Sequence, residues 1–228
     1  MLDFEGRVAA SSRIRPAARH EATPIASIRM AAYSQYRKSA PPAVFDAYLD
    51  DLRHVERPEN GTELLVAEWQ GRVVGSVVFY PDAGLLGMGL PKGWAGFRKL
   101  AVHPDARGRG LGRRLAQYCV DRARELGTLT LGIHSSSFMT TACKLYHHMG
   151  FTRCPEHDLR ATTILGMAPS EDDVAVIAFR MNLRGLAPSP SGGGMGWGHA
   201  AHPAAHHAKA APLPTFIPQQ RPPSAPPA

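Results

Sequence analysis

The chain has 228 residues, which is enough for one domain with a sizeable core and too few for two full domains. It contains 44% hydrophobic and 20% charged residues and has a formal net charge of +7, a composition typical of a globular protein. No apolar run approaches the roughly 20 residues that a membrane helix needs, and the acidic Asp3 and Glu5 argue against a secretory signal. Its cysteines, Cys119, Cys143 and Cys154, lack CxxC spacing and indicate neither a disulfide framework nor a zinc site. We therefore expect a cytoplasmic protein without a bound metal.

The first half of the chain is predicted to form strands and helices in the order strand, helix, helix, strand, strand. These are a strand at Arg13 to Arg15, helices at Glu21 to Tyr36 and Pro42 to His54, and strands at Leu64 to Ala67 and Val73 to Phe79. The last two strands are separated by Gln70-Gly71, a turn signal, and should form a hairpin.

The second half alternates strands and helices after a Gly-rich segment, Asp82 to Gly96, which we predict to be a surface loop. The predicted strands are Phe97 to Val102, Leu129 to Ile133 and Val174 to Leu183, and the helices are Gly110 to Leu126 and Thr140 to Met149. The two strands joined by the first of these helices should be parallel, whereas a hairpin is antiparallel. The sequence therefore predicts an α/β (α+β) fold with a mixed sheet flanked by helices.

The C-terminal residues differ in composition from the rest of the chain. From Gly185 onward they are mainly Pro, Ala, Gly and His, and only Lys209 and Arg221 carry a formal charge. Such a segment has too few large apolar residues to offset the entropy of ordering it. We predict one domain at residues 12–186 and a disordered tail at residues 187–228. The chain before the tail has 24 basic and 19 acidic residues, a net charge of about +5 that suits a polyphosphate ligand.

The clearest chemical signal is the turn between the strand ending at Val102 and the helix that follows. This turn reads Arg107-Gly108-Arg109-Gly110-Leu111-Gly112, with Arg113 next. Glycines allow a close backbone approach, and the N–H groups of a first helical turn point outward, so the turn can bind an anion such as a pyrophosphate. A solvated basic turn is the alternative. That alternative does not explain three closely spaced glycines, since each disfavours a helix by about 1 kcal/mol.

The turn and the strand before it resemble motif A of the GNAT acyltransferases, (Q/R)xxGx(G/A), when Leu100-Ala101-Val102-His103-Pro104 is read together with Arg107 to Gly112. A second match to that family, its AxxLYxxxGF segment, consists of Ala142, Leu145, Tyr146, Gly150 and Phe151. The resemblance covers Ser12 to Leu183. It implies a mixed, mostly antiparallel sheet of six or seven strands, splayed at an acyl-CoA site.

The same resemblance implies an enzyme that transfers an acetyl group from acetyl-CoA to a primary amine by direct attack. The pantetheine arm would enter the gap beside the strand at Leu100 to Val102, whose backbone would polarise the thioester carbonyl. The implied acetyl-CoA-binding residues are Leu100, Ala101, Val102, Arg107, Gly108, Arg109, Gly110, Leu111, Gly112 and Arg113.

Tyr146 aligns with the general acid of the family, the group that protonates the leaving thiolate. Ala142, Leu145 and Met149 share its helix face, so the phenol should point inward. The alternative is a packed core tyrosine whose hydroxyl is bonded to a carbonyl.

The general base is not assigned by the sequence, because Gly96 stands where related sequences often carry a glutamate. Glu68, His103, His134 or a water molecule are the candidates. Met139 also departs from the family pattern, since an asparagine that contacts the pantetheine arm is common there.

Two other functions fit parts of the sequence. An acyl-CoA-binding sensor with little turnover is favoured by Gly96 and opposed by Tyr146, and an enzyme acting on RNA-linked amines would use the mild positive charge. We expect a small-molecule or protein amine as acceptor, no nucleic-acid or membrane partner, and leave a homodimer open.

Overall fold

The computed structural model describes residues 12–55, 61–86 and 89–184. The chain divides into two units, residues 1–188 and 189–228, and every described residue belongs to the first unit. The predicted tail at residues 187–228 lies outside the described residues, so its disorder stays a prediction. Within the described ranges, no helix is long and apolar enough to cross a membrane.

The described residues form thirteen helices and strands, besides short 3-10 turns. The strands are β1 (Ser12–Pro16), β2 (Glu63–Trp69), β3 (Arg72–Tyr80), β4 (Ala95–Val102), β5 (Thr130–Ser136), β6 (Thr152–Arg153), β7 (Leu159–Arg160) and β8 (Ala175–Asn182). The helices are α1 (Ala22–Tyr33), α2 (Pro42–Arg53), α3 (Leu111–Glu125), α4 (Thr140–His148) and α5 (Ala161–Ile164).

All the strands belong to one sheet of eight strands in the order β1-β2-β3-β4-β5-β8-β6, with β7 also paired to β8. The pair β4–β5 is parallel and the other pairs are antiparallel, which confirms the predicted mixed, mostly antiparallel sheet. The sheet exceeds the expected six or seven strands because β6 and β7 have two residues each, too few to show a periodic pattern.

Helices cover both faces of this sheet because side chains alternate along β2 and β3. Leu65 and Phe79 lie in the same cluster as residues of α3 and α4. Their neighbours Leu64 and Val78 lie in a cluster with Ile25 of α1. The site described below lies in the middle of the strand order, where β4 and β5 separate.

The strands β4 and β5 pair only at their beginnings, through Ala95 with Leu131 and Gly96 with Gly132. A Cβ atom added to Gly96 would lie 2.6 Å from the carbonyl oxygen of Gly132, so this close approach requires glycine. Beyond this point the strands diverge, as the resemblance implied. The predicted surface loop, Asp82 to Gly96, is wrong at its end, because Ala95 and Gly96 are buried residues of β4.

A bulge interrupts β4 just after the point of divergence. Ser76 pairs with Ala101 and Val78 with Arg98, so β4 has one residue more than β3 between these pairs. Lys99 adopts a left-handed conformation there, with φ of 55°. A bulge of this kind changes the direction of the neighbouring side chains.

Candidate active site

A cavity of about 510 Å³ lies in the gap between β4 and β5. Its walls come from α1, α2, β4, β5 and α4, from the turn before α3, and from α5 and β8. Ten of the eleven residues predicted for the site line it: Leu100, Ala101, Val102, Arg107, Gly108, Gly110, Leu111, Gly112, Arg113 and Tyr146. The exception is Arg109. The fold thus brings together two segments that are separated by more than thirty positions in the sequence.

The turn before α3 presents its backbone to open space. Gly108 and Gly110 have φ of 75° and 69°, values that side chains rarely allow, and a Cβ atom at either position would have nothing within 4 Å. Gly110 is the N-cap of α3, and no side chain caps the helix. The amide of Arg114 bonds to the Gly110 carbonyl oxygen at 3.0 Å, which leaves the earlier amides of the first helical turn available for an anion.

Most arginines of this turn are held by the protein itself. Arg107 donates to the Ala32 carbonyl oxygen at 3.0 Å and to Gln35 Oε1 at 3.2 Å. Arg109 donates to the Asp105 carbonyl oxygen at 2.9 Å and stacks over Trp69. These contacts fix the shape of the turn. The sequence did not indicate that the protein itself would bind these arginines.

Arg113 differs from the other arginines of the turn. It is exposed, lines the cavity, and has no hydrogen bond or ion pair to another described residue. Its charge therefore remains available to a ligand, and it adds to the positive end of the α3 dipole.

Tyr146 lies on α4 and lines the cavity. It is 5% exposed, and its ring contacts those of Phe97, Phe151 and Phe179 at centroid distances of 5.8 to 5.9 Å. Burial raises the pKa of Tyr146 far above its usual value, so the phenol keeps its proton at neutral pH. No described residue accepts a hydrogen bond from its hydroxyl, unlike the core tyrosine of the alternative interpretation.

Two of the three base candidates lie away from the cavity. Glu68 is held by Arg15 at 2.8 Å and Arg13 at 3.3 Å, and its hydrogen bond to Arg15 lowers the pKa of the carboxyl. His103 accepts a hydrogen bond of 3.4 Å from the Asp105 amide at the start of a 3-10 turn. Neither side chain lines the cavity.

The third candidate, His134, lines the cavity from β5. Its Nε2 lies 2.9 Å from the His157 carbonyl oxygen. A carbonyl can only accept, so Nε2 carries the hydrogen, and in the neutral ring Nδ1 has the free lone pair. Burial, with a smaller contribution from Arg98, lowers the pKa of His134 and favours that neutral form.

Several polar residues of the cavity wall were not predicted from the sequence, among them Tyr33, Tyr48, Asp51, Arg98 and Lys99. The Tyr33 hydroxyl donates to the Leu100 carbonyl oxygen at 3.0 Å, and burial raises its pKa to about 12. Asp51 lies 3.1 Å from Lys99 and 3.7 Å from Arg98. These residues come from three separate elements and form no motif, so no spacing in the sequence could have indicated them.

Known protein families were compared with the whole sequence of the chain. The sequence profile described as the acetyltransferase (GNAT) family matches residues 24–151, which is more than half of the chain. The chain belongs to this family. The matched residues include the turn before α3, Tyr146, and both strands of the gap.

The curated proteins that match include two of similar identity to this chain. The uncharacterised N-acetyltransferase YjgM of Escherichia coli (strain K12) is 32% identical over 108 residues, covering 47% of this chain and 61% of that protein. The IAA acetyltransferase of Azospirillum brasilense is 31% identical over 104 residues, covering 46% of this chain and 62% of that protein. The match thus spans about six tenths of the length of these relatives.

Among solved structures, that of yncA from Salmonella typhimurium, solved with acetyl-CoA, superposes with a TM-score of 0.50. It is 20% identical, and the match covers 79% of this chain and 99% of that one. At this identity the likeness supports the fold alone. It confirms the mixed α/β architecture expected from the sequence.

Proposed function

We propose that the protein is an N-acetyltransferase that transfers an acetyl group from acetyl-CoA to a primary amine within a ternary complex. The observation that supports this most is the cavity between β4 and β5, which joins an uncapped helix N-terminus to a buried, protonated tyrosine. An anionic ligand with a long uncharged arm and a reactive end fits this arrangement.

The residues present suit acetyl-CoA along the length of the gap. The outward amides from Gly108 to Gly112, with Arg113, would hold the pyrophosphate. Because β4 and β5 pair at only two positions, backbone groups of Leu100 to Val102 have no β5 partner on that side and would bond to the pantetheine amides. Met139, the departure from the family pattern, lines the cavity and leaves an apolar contact there.

Tyr146 and His134 divide the proton transfers in this proposal. The amine attacks the thioester carbonyl carbon, so a C–N bond forms as the C–S bond breaks. Nδ1 of His134 takes the proton that the amine loses, directly or through water, and the Tyr146 hydroxyl gives its proton to the leaving thiolate. Tyr146 then recovers a proton from solvent.

A covalent acetyl-enzyme is not part of this mechanism. Cys143 lies on the same helix as Tyr146, but it does not line the cavity. Its Sγ lies 3.8 Å from Ser135 Oγ, within the range of a weak sulfur hydrogen bond. Direct attack by the amine needs no such nucleophile.

The acceptor in this proposal is a small molecule. Side chains of α2, of α5 and of the residue that follows α5 line the cavity, among them Phe45, Ile164 and Leu165, and limit the space for a protein chain. The relative from Azospirillum brasilense is named for IAA, which also supports a small-molecule acceptor.

A thioester-consumption assay with acetyl-CoA and a broad panel of primary amines tests the function. We expect free thiol to form only when protein, acetyl-CoA and a suitable amine are present together, with an acetylated amine as the second product. Calorimetric binding of acetyl-CoA without turnover on any amine would instead support the sensor. No binding at all would contradict both.

A further inference from the structure

Arg98 is a charged residue of the cavity wall that the chemistry above does not use. It lies on β4 two residues beyond the last β4–β5 pair, and its side chain is 26% exposed. Within the described part of the chain, its guanidinium makes no hydrogen bond. Its one ion pair, to Asp51 Oδ2, is long at 3.7 Å. A guanidinium has five N–H donors, so the described residues leave most of the hydrogen-bonding capacity of this cavity-lining residue unused.

Arg98 shares its one carboxylate partner with Lys99. Asp51 lies closer to Lys99, at 3.1 Å, and the Lys99 side chain is only 3% exposed. Residues 98 and 99 would normally face opposite sides of a strand, but the bulge at Lys99 turns both toward Asp51. Arg98 is therefore the more weakly paired of these two cations, with no hydrogen bond to a described residue and one long ion pair to the shared carboxylate.

Three titratable side chains that line the cavity together with Arg98 carry no charge at neutral pH. Burial raises the pKa values of Tyr33 and Tyr48 and lowers that of His134, so all three are neutral at pH 7. The cavity wall also contains a set of large apolar side chains: Val44, Phe45, Phe138, Ile164, Leu165 and Val176. A guanidinium that is only weakly paired beside apolar side chains favours a ligand that brings a negative charge.

The position of Arg98 along β4 assigns this charge to the acceptor. The pyrophosphate turn follows Val102, at the open end of the gap, and the arm of acetyl-CoA would run from there past Leu100. Arg98 lies further in, toward the point where β4 meets β5. A group bound to Arg98 would therefore lie beyond the thioester, on the side from which the amine approaches.

We propose that the acceptor is an amine that also carries a carboxylate and an apolar body, as an apolar amino acid does, and that Arg98 binds its carboxylate. This inference rests on the proposed function. Arg98 pairs with the carboxylate in the fork geometry that a guanidinium offers, and the apolar wall receives the side chain. The bound carboxylate holds the amino group at a fixed distance from the thioester, so Arg98 determines acceptor specificity.

The test compares apolar L-amino acids with the amines that remain when their carboxylate is removed, for example phenylalanine with phenethylamine. For the unaltered protein we expect kcat/KM to be about 10²-fold or more higher for the amino acid. Arg98→Met should abolish this preference by raising the KM for the amino acid, with the KM for acetyl-CoA unchanged. Arg98→Lys keeps the positive charge but not the forked N–H donors of a guanidinium, so it should keep part of the preference for the amino acid.

Controls separate this proposal from the function on which it rests. Arg180→Met removes an exposed arginine with a similar ion pair, 3.6 Å to Glu156, outside the cavity, and should leave the preference unchanged. Thermal unfolding checks that Arg98→Met folds. Equal turnover of both partners by the unaltered protein, or an unchanged preference in Arg98→Met, would overturn the proposal while leaving the acetyltransferase function intact. Absence of acetyl-CoA binding and turnover would overturn both.

Discussion

Tyr146 and His134 face one cavity from different elements, and each is held in the protonation state that its proposed role requires. The phenol is surrounded by three aromatic rings that offer no hydrogen bond strong enough to replace water. The imidazole is fixed through Nε2 by a backbone carbonyl. Burial disfavours the charged form of both, so the tyrosine stays protonated and the histidine stays neutral.

For Tyr146 we predict that replacement by phenylalanine lowers kcat by about 10²-fold while the affinity for acetyl-CoA is unchanged. The ring and its contacts remain, so thermal stability should be retained. The loss should be smaller with a thioester whose thiolate is a better leaving group, because less protonation is then needed. Turnover of acetyl-CoA by Tyr146→Phe at the original rate would show that Tyr146 is only a packed side chain.

For His134 we predict a pH dependence of kcat/KM that follows its lowered pKa. The base must be unprotonated, so the rate falls as the pH falls through the pKa in the folded protein, and this fall should occur below the ordinary value of 6.5. His134→Gln should remove that acid limb and lower the rate. His148→Gln, which alters an exposed histidine outside the cavity, is the matched control. An acid limb that persists in His134→Gln would exclude this residue as the base.

The N-terminus of α3 is the element on which acetyl-CoA binding depends in our proposal. A Cβ atom at Gly112 would lie 3.8 Å from Val102 Cγ2 and 4.0 Å from Leu145 Cδ2, an ordinary contact, so a larger side chain would extend into the gap without disrupting the helix. The sequence could indicate an anion site here, because glycines before a helix have few other uses. It could not show which arginines the protein itself holds.

We predict that replacing both Gly110 and Gly112 by leucine abolishes calorimetric binding of acetyl-CoA while the domain stays folded. Gly110 has a positive φ, so part of any effect could come from backbone strain. Gly127→Leu is the matched control, since Gly127 has the same φ of 69°, also has open space at its Cβ position, and lies at the other end of α3. Unchanged affinity in the double variant would contradict the assignment of this turn.

At the scale of the whole molecule, the described domain ends soon after β8, and its core clusters are built from residues up to Leu183. We predict that a chain ending after Leu186 binds acetyl-CoA with the affinity of the full chain and unfolds at the same temperature. The residues removed have a composition that provides few core-forming side chains. A markedly lower melting temperature would show that the tail stabilises the domain.

The sequence alone determined the order of the longer helices and strands, the mixed sheet, the turn before α3 and the helix face of Tyr146, because each depends on periodicity or spacing within a short segment. The cavity depends on contacts between distant segments, which only the tertiary structure decided. In the folded chain, a bulge that no local pattern indicates turns Arg98 and Lys99 toward Asp51. The fold places His134 in the cavity and leaves Glu68 and His103 outside it. As isolated residues, all three are equally plausible general bases. Gly96, which reads as a lost glutamate in the sequence, is required by the approach of Gly132, since the strands could not meet and then diverge with a side chain between them.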